Sequence, residues 1–93
     1  MKAIWNNKII AESDATVVIE NNHYFLHDSI KKKYFKPSET HSTCPWKGEA
    51  SYYTIEVEGK QNKDAAWYYP EVSDQAITIK NHVAFWKGVE VKS

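Results

Sequence analysis

The sequence is short of several things, and each shortage excludes a class of protein. Cysteine occurs once, at Cys44, so no disulfide can form within the chain. Net charge is absent: 12 Lys plus Arg balance 12 Asp plus Glu, which leaves no global field to attract nucleic acid or an acidic membrane. No run of apolar residues is long enough for a membrane span. Met1-Lys2 is followed at once by Ala3-Ile4-Trp5-Asn6-Asn7, too short and polar for the core of a signal peptide. The lack of a signal and of disulfides together predicts a cytoplasmic protein. No repeat, low-complexity tract or linker marks an internal boundary.

What is present fits one domain, residues 1–93. A domain of this size buries roughly 60–65 % of its unfolded surface, enough for one core. A deep internal site would take a large share of that core, so a surface cleft or a mouth at a sheet edge is expected. Aromatic residues make up 14 % of the chain, with four Trp and six Tyr, more rings than so small a core requires. Some of them are free to line a ligand site.

The chain reads as a series of hairpins. Ala3-Ile4-Trp5 and Ile9-Ile10-Ala11 flank Asn6-Asn7-Lys8, a tight turn in which Asn tolerates positive φ. Thr16-Val17-Val18-Ile19-Glu20 is a β-branched strand, Asn21-Asn22 a turn, and His23-Tyr24-Phe25-Leu26 the returning strand. Asp28 predicts the cap of a short helix through Lys32. Pro37 to Gly48 reads as an irregular loop, rich in Pro, Ser and Thr. Ser51 to Glu58 alternates, with Tyr53, Ile55 and Val57 on one face and Thr54, Glu56 and Glu58 on the other. A polar loop, Gly59 to Asp64, leads to a strand from Ala65 to Tyr69 that Pro70 stops. Val72, Ala76 and Ile79 predict a second short helix over about residues 73–80, capped by Ser73 or Asp74 and closed by Asn81. Val83 to Trp86 and Val89 to Val91 predict a final hairpin around Lys87-Gly88. The class is mainly β with two short helices: antiparallel hairpins rolled or folded into a sandwich.

The segment Thr43-Cys44-Pro45-Trp46-Lys47-Gly48 holds the densest functional chemistry. Cys44 is either a small buried hydrophobe or a nucleophile with His41 as base or Lys47 as a nearby charge. His41-x-x-Cys44 offers two metal ligands, with His23, His27 or His82 as a third, but a single cysteine excludes a four-cysteine zinc site. Neither a metal nor another cofactor is expected. Lys47 is either solvated at a turn or a point charge for a phosphate or carboxylate. No Gly lies four or five residues before Gly48, so this is not a phosphate loop. Trp46, Tyr52, Tyr53, Trp67, Tyr68 and Tyr69 form an aromatic set on strands expected to pair, either stabilising the sheet or stacking a planar ligand. Lys31-Lys32-Lys33 with Lys36 is the one basic cluster, without arginine, and reads as a solvated face. The acidic residues Glu49, Glu56, Glu58, Asp64, Glu71 and Asp74 are scattered, with no spacing for a general acid–base pair.

Several blocks together resemble a known family. They are Ile10-Ala11-Glu12-Ser13, Tyr24-Phe25, Thr43-Cys44-Pro45-Trp46-Lys47-Gly48 with Ala50-Ser51-Tyr52-Tyr53, Ala66-Trp67 with Tyr69, and Val83-Ala84-Phe85-Trp86. In this order, over nearly the whole chain, they are similar to the uncharacterised family catalogued as domain of unknown function 427, sometimes labelled nucleotidyltransferase-like. The resemblance implies a compact, barrel-like complex-β roll. Some proteins of that architecture hold zinc with paired cysteines, which are missing here. No acidic metal-binding pair or Gly-Ser motif supports the nucleotidyltransferase label. Leu26 and Val72 stand where many relatives have proline, which bears on local loop shape.

Three functions remain in view. The first is binding of a small anionic or planar ligand in a pocket formed by Thr43, Trp46, Lys47, Gly48, Tyr52 and Trp67, with the His41 side chain beside it. The second is an enzyme using Cys44 or Lys47 as nucleophile with His41 as base. The third is a protein-interaction module with an exposed aromatic edge. The first is preferred, with a small molecule as partner and neither nucleic acid nor membrane. Oligomeric state is not legible.

Overall fold

A computed structural model describes all residues, Met1–Ser93, as a mainly β, antiparallel structure of two sheets. The strands are β1 (Lys2–Trp5), β2 (Lys8–Glu12), β3 (Val17–Ile19), β4 (Asn22–Leu26), β5 (Phe35–Cys44), β6 (Gly48–Val57), β7 (Lys60–Tyr68), β8 (His82–Phe85) and β9 (Glu90–Lys92). The larger sheet runs β3-β4-β8-β7-β6-β5 and the smaller β2-β1-β9. The sheets do not close into a barrel: β3 and β5 are both free edges of the larger one. No helix is long and apolar enough to cross a membrane.

Two-residue turns do much of the folding. Asn6-Asn7 turns β1 into β2 with both residues at positive φ, as their composition predicts. The next turn is Glu20-Asn21, one residue earlier than expected, so Asn22 already belongs to β4. Glu58-Gly59 turns β6 into β7, and the expected polar loop is therefore strand from Lys60 onward.

The largest departure is β5. The segment expected to be a loop is a ten-residue strand paired along β6, interrupted by a bulge between Pro37 and His41. Its residues are mostly exposed because it is an edge, wet on the side with no neighbour. Proline and hydroxyl residues are tolerated there, since an edge strand can spare a backbone donor. The final hairpin is also absent. After Phe85 the turn at Lys87-Gly88 sends β9 to the smaller sheet, where it pairs with β1. The two expected helices are 3₁₀ turns: His27–Ser29 and Lys32–Tyr34 in place of one, and Asp74–Ile79 for the other. Asp28 caps nothing with its side chain, and neither does Ser73. Asn81, at positive φ, follows the last of these turns.

Strand alternation divides the interior in two. On one face of the larger sheet, Phe25, Val83, Phe85, Ala66, Ile55 and Val57 pack with Ala3, Ile10 and Ala11 of the smaller sheet. Each large side chain fully buried there contributes about 1.5–3 kcal/mol. Residues an odd number of positions away along the same strands, Tyr24, Ala84, Trp67 and Tyr52, go to the opposite face. There they pack with Tyr69 and with Ala76 and Ile79 of the last 3₁₀ turn, a thinner cover than a second sheet.

Candidate functional site

The second face holds a cavity of about 150 Å³, lined by Lys47, Tyr52, Trp67, Tyr69 and Trp86. Four of the five are aromatic. Tyr52 and Trp67 face each other as a register pair of β6 and β7. Tyr69 follows two residues after Trp67 and so shares its face. Trp86 lies just past β8 with its ring 5.8 Å from that of Trp67, edge to face.

Three of the four rings are oriented by a hydrogen bond at the polar end. Trp67 Nε1 donates to the Tyr24 hydroxyl at 3.3 Å. Tyr52 and Ser42 hydroxyls meet at 2.7 Å. Trp86 Nε1 donates to the Asp64 carbonyl at 2.6 Å. Burial pushes the Tyr69 hydroxyl up to about 12, with Tyr24 adding to the effect and Lys47 opposing it. Rings fixed in this way lose little further freedom when they contact a ligand.

Lys47 is only 6 % exposed. The turn Pro45-Trp46-Lys47 between β5 and β6 is anchored to the chain after Pro70. Ser73 N–H donates to the Lys47 carbonyl at 3.1 Å, and the Ser73 hydroxyl donates to the Trp46 carbonyl. Gly48, at φ +126°, lies against this segment so closely that a Cβ would sit 2.8 Å from the Glu71 carbonyl oxygen. The Lys47 ammonium is 5.0 Å from the centroid of the Trp46 ring and 5.9 Å from that of Tyr69. It donates to Glu20, whose side chain is 56 % exposed at the β3–β4 turn. Burial works against its charge, but the Glu20 hydrogen bond, with Tyr24 and Tyr69, holds its pKa above the ordinary lysine value.

The residues singled out in the sequence are distributed unevenly. Lys47, Tyr52 and Trp67 line one cavity, and Trp46 stacks beside Lys47 without lining it. Gly48 serves the close approach to Glu71, Thr43 of β5 pairs with Glu49 of β6, and neither lines the cavity. His41 is exposed, with Nδ1 3.3 Å from the Ala50 carbonyl and 3.4 Å from the Ser51 hydroxyl. Cys44 is half-buried against the second cluster. Three positions apart on a regular stretch of strand, His41 and Cys44 project to opposite faces, which separates the proposed base from the thiol. No three His, Cys, Asp or Glu side chains converge at metal-binding distance.

Trp86, Glu20 and Asp64 are site-region residues that the sequence does not point to, and Tyr69, one of the aromatic set, is absent from the six expected pocket residues. Parity with Trp67 is a signal that could have added Tyr69. Asp64 is a buried carboxylate, 8 % exposed, at positive φ in the bulge of β7. Its oxygens accept from Ser38 at 2.5 Å and Thr40 at 2.7 Å, both in the bulge of β5 on the far side of β6. The Ser38 hydroxyl holds its pKa below the usual carboxylate value against the opposing effect of burial, with Thr40, Lys63 and Lys87 assisting. Asp64 thus ties two bulges together and fixes the carbonyl that positions Trp86.

A second depression, of about 290 Å³, is lined by Leu26, His27, Asp28, Lys80, Asn81 and His82. It is larger but offers one apolar side chain, and both His27 ring nitrogens are engaged, by the Asn81 carbonyl and the Tyr53 hydroxyl. The aromatic cavity alone combines ring faces with a buried charge.

Fold and cavity together define a class: a two-sheet antiparallel β-domain with an aromatic, lysine-walled cavity on its thinly covered face. The chain matches the family described as Domain of unknown function (DUF427) over residues 1–92, and it belongs to that family. No curated protein matches it.

Proposed function

We propose that this protein is a small-molecule binding domain of the cytoplasm. Its aromatic cavity seats a planar ligand one ring wide, with the Lys47 ammonium toward the ligand's acceptor or anionic group. The observation that carries this reading is the convergence of Tyr52, Trp67, Tyr69 and Trp86 around one buried ammonium. Binding sites are concave, mostly apolar, and carry few polar groups that fix orientation. The volume limits the ligand. An apolar cavity of about 150 Å³ admits benzene, whereas drug-sized ligands occupy about 300–1,000 Å³. A larger molecule would therefore insert one ring and leave the remainder outside. Charge limits it too: the cation of Lys47 already occupies the Trp46 and Tyr69 faces, which disfavours a cationic ligand.

The test is a thermal-shift screen of single-ring metabolites and nucleotides on the wild type, repeated on Trp67→Ala and Lys47→Met. A ligand that raises Tm of the wild type and of neither variant supports the reading. Equal shifts in all three proteins place binding elsewhere. The cytoplasmic assignment rests on the lone cysteine and the chain's composition, and localisation of a tagged full chain checks it.

A further inference from the structure

The charged wall of the cavity already has a carboxylate partner, supplied by a residue outside the cavity lining. Glu20 and Asn21 form the two-residue turn between β3 and β4, and both have positive φ. The turn carries the Glu20 carboxylate onto the Lys47 ammonium, 27 residues away in sequence. Glu20 keeps 56 % of its side chain exposed, while Lys47 keeps 8 %. The ammonium is thus the desolvated partner, and the carboxylate reaches it from the solvent side.

An ammonium has three protons to donate. Glu20 is the only hydrogen-bond acceptor for the Lys47 ammonium within the protein. Beyond it the ammonium meets the ring faces of Trp46 and Tyr69 and the open cavity. Donor capacity therefore remains for a ligand acceptor, while the positive charge is already neutralised. A ligand carboxylate would place a second anion beside Glu20, and like charges sharing one site repel strongly. An uncharged carbonyl or amide oxygen accepts the spare proton without that repulsion.

We propose that Glu20 is a specificity-determining residue that makes the cavity prefer uncharged planar ligands bearing a carbonyl acceptor over aromatic carboxylates. This rests on the small-molecule reading of the cavity and narrows its ligand class. Glu20 acts through Lys47, holding its charge compensated, and it leaves the ring-stacking walls untouched.

Benzamide and benzoate test the idea, since they share a ring and a size and differ in charge. Binding to the full chain is read by intrinsic tryptophan fluorescence, because Trp67 and Trp86 border the cavity. In the wild type, benzamide is expected to bind about tenfold or more tighter than benzoate, at least 1.4 kcal/mol in binding free energy. In Glu20→Gln, benzoate should gain about tenfold while benzamide changes less than about twofold. Glu20→Asn suits positive φ better and keeps the turn, so it provides a second, well-folded variant with the same expectation. If benzoate binds the wild type as well as benzamide and neither variant changes the ratio, the role of Glu20 is overturned and the cavity reading stands. If neither compound binds any of the proteins at millimolar concentration, the cavity reading falls and takes the role of Glu20 with it.

Discussion

The two faces of the larger sheet are built from the same strands and carry different chemistry. Phe25, Val83, Ala66 and Ile55 project toward the smaller sheet, among side chains that mostly lack polar atoms. On the same strands Tyr24, Trp67 and Tyr52 project the other way, and each bears a polar group with a defined partner. The first face is sealed by a whole sheet. The second is covered by one 3₁₀ turn and a three-residue hairpin turn, which leave space between the rings. Apolar packing without gaps yields stability. Rings held at their polar ends yield a shaped surface that persists without being filled. The same alternation therefore separates the residues that hold the fold from those available to a ligand.

The largest test of this division is Phe25→Ala against Trp67→Ala. Phe25 has no exposed surface, and its ring meets Phe85 edge to face at 5.4 Å. Its truncation should cost about 3–5 kcal/mol, the range for a buried Phe. That would be a large part of the stability of a small domain, roughly 5–15 kcal/mol. Trp67 borders an existing cavity and is only partly buried, so about 1–3 kcal/mol is expected. Urea denaturation measures both. Equal losses would mean that the second face is as stabilising as the first, and the division would break.

A second contrast concerns the cover of the open face. Gly48→Ala places a Cβ 2.8 Å from the Glu71 carbonyl oxygen at φ +126°, a conformation that L-residues rarely adopt. Steric overlap with backbone adds to conformational strain, and a loss of about 2–4 kcal/mol is expected. Gly59→Ala meets no atom within 4 Å at φ +79°, so only the left-handed backbone penalty of about 1 kcal/mol remains. A comparison of Tm values checks the difference. Near-equal losses would show that the segment from Glu71 yields freely and that the cover is loose.

These contrasts also show what the sequence could reveal. Tyr53, Ile55 and Val57 were legible because β6 is central to the sheet and its later half alternates between core and surface. The strand β5 was not legible. As an edge with both faces largely wet it has no hydrophobic period, and Pro37, Ser38, Thr40 and Ser42 have the composition of a loop. Lys47, Tyr52 and Trp67 could be grouped from local density and parity, and they share one cavity. Glu20 and Asp64 could not. Their meaning lies in partners 24 to 27 residues away, Lys47 for one and Ser38 and Thr40 for the other. No periodicity encodes a side-chain hydrogen bond at that distance. The bulges that make the Asp64 contacts possible are themselves breaks in the expected pattern.

Asp64 supplies the third test, because it joins the bulges behind Trp86. Its carboxyl pKa is lowered from the ordinary 3.8, first by the Ser38 hydroxyl. A depressed carboxyl pKa gives stability that is fully present above the unfolded value. The benefit is lost as pH falls below about 4 and through the folded value. Asp64→Asn keeps the shape and removes the charge-assisted acceptor, for a loss of about 1–3 kcal/mol at neutral pH. The variant should also lose part of the wild type's acid sensitivity. The gap in stability between the two proteins should therefore narrow below about pH 4, as equilibrium unfolding across the acid range would show. A constant gap down to the lowest pH would mean that Asp64 acts by shape alone.

The smallest effect is the most direct probe of how closed each face is. Burial, ahead of the neighbouring Tyr68, pushes the Tyr53 hydroxyl at the first face up to about 12. Burial does the same to Tyr69 at the second, also to about 12, although its face is thinly covered and Lys47 opposes the shift. In the unfolded chain both would lose their protons near the ordinary value of 10.0. The folded state therefore holds more protons above that pH, and stability should decline as pH rises from about 10 toward 12. An ultraviolet titration of tyrosinate should show a late component that loses one group in Tyr53→Phe and one in Tyr69→Phe. If only Tyr53→Phe removes a late group, solvent reaches the Tyr69 hydroxyl freely. The second face would then be an open surface, and a ring entering it would gain little from burial. If both variants remove one, the Tyr69 hydroxyl beside Lys47 is as shielded from water as that of Tyr53 despite the thin cover of its face, the condition under which one spare ammonium proton can discriminate between ligands.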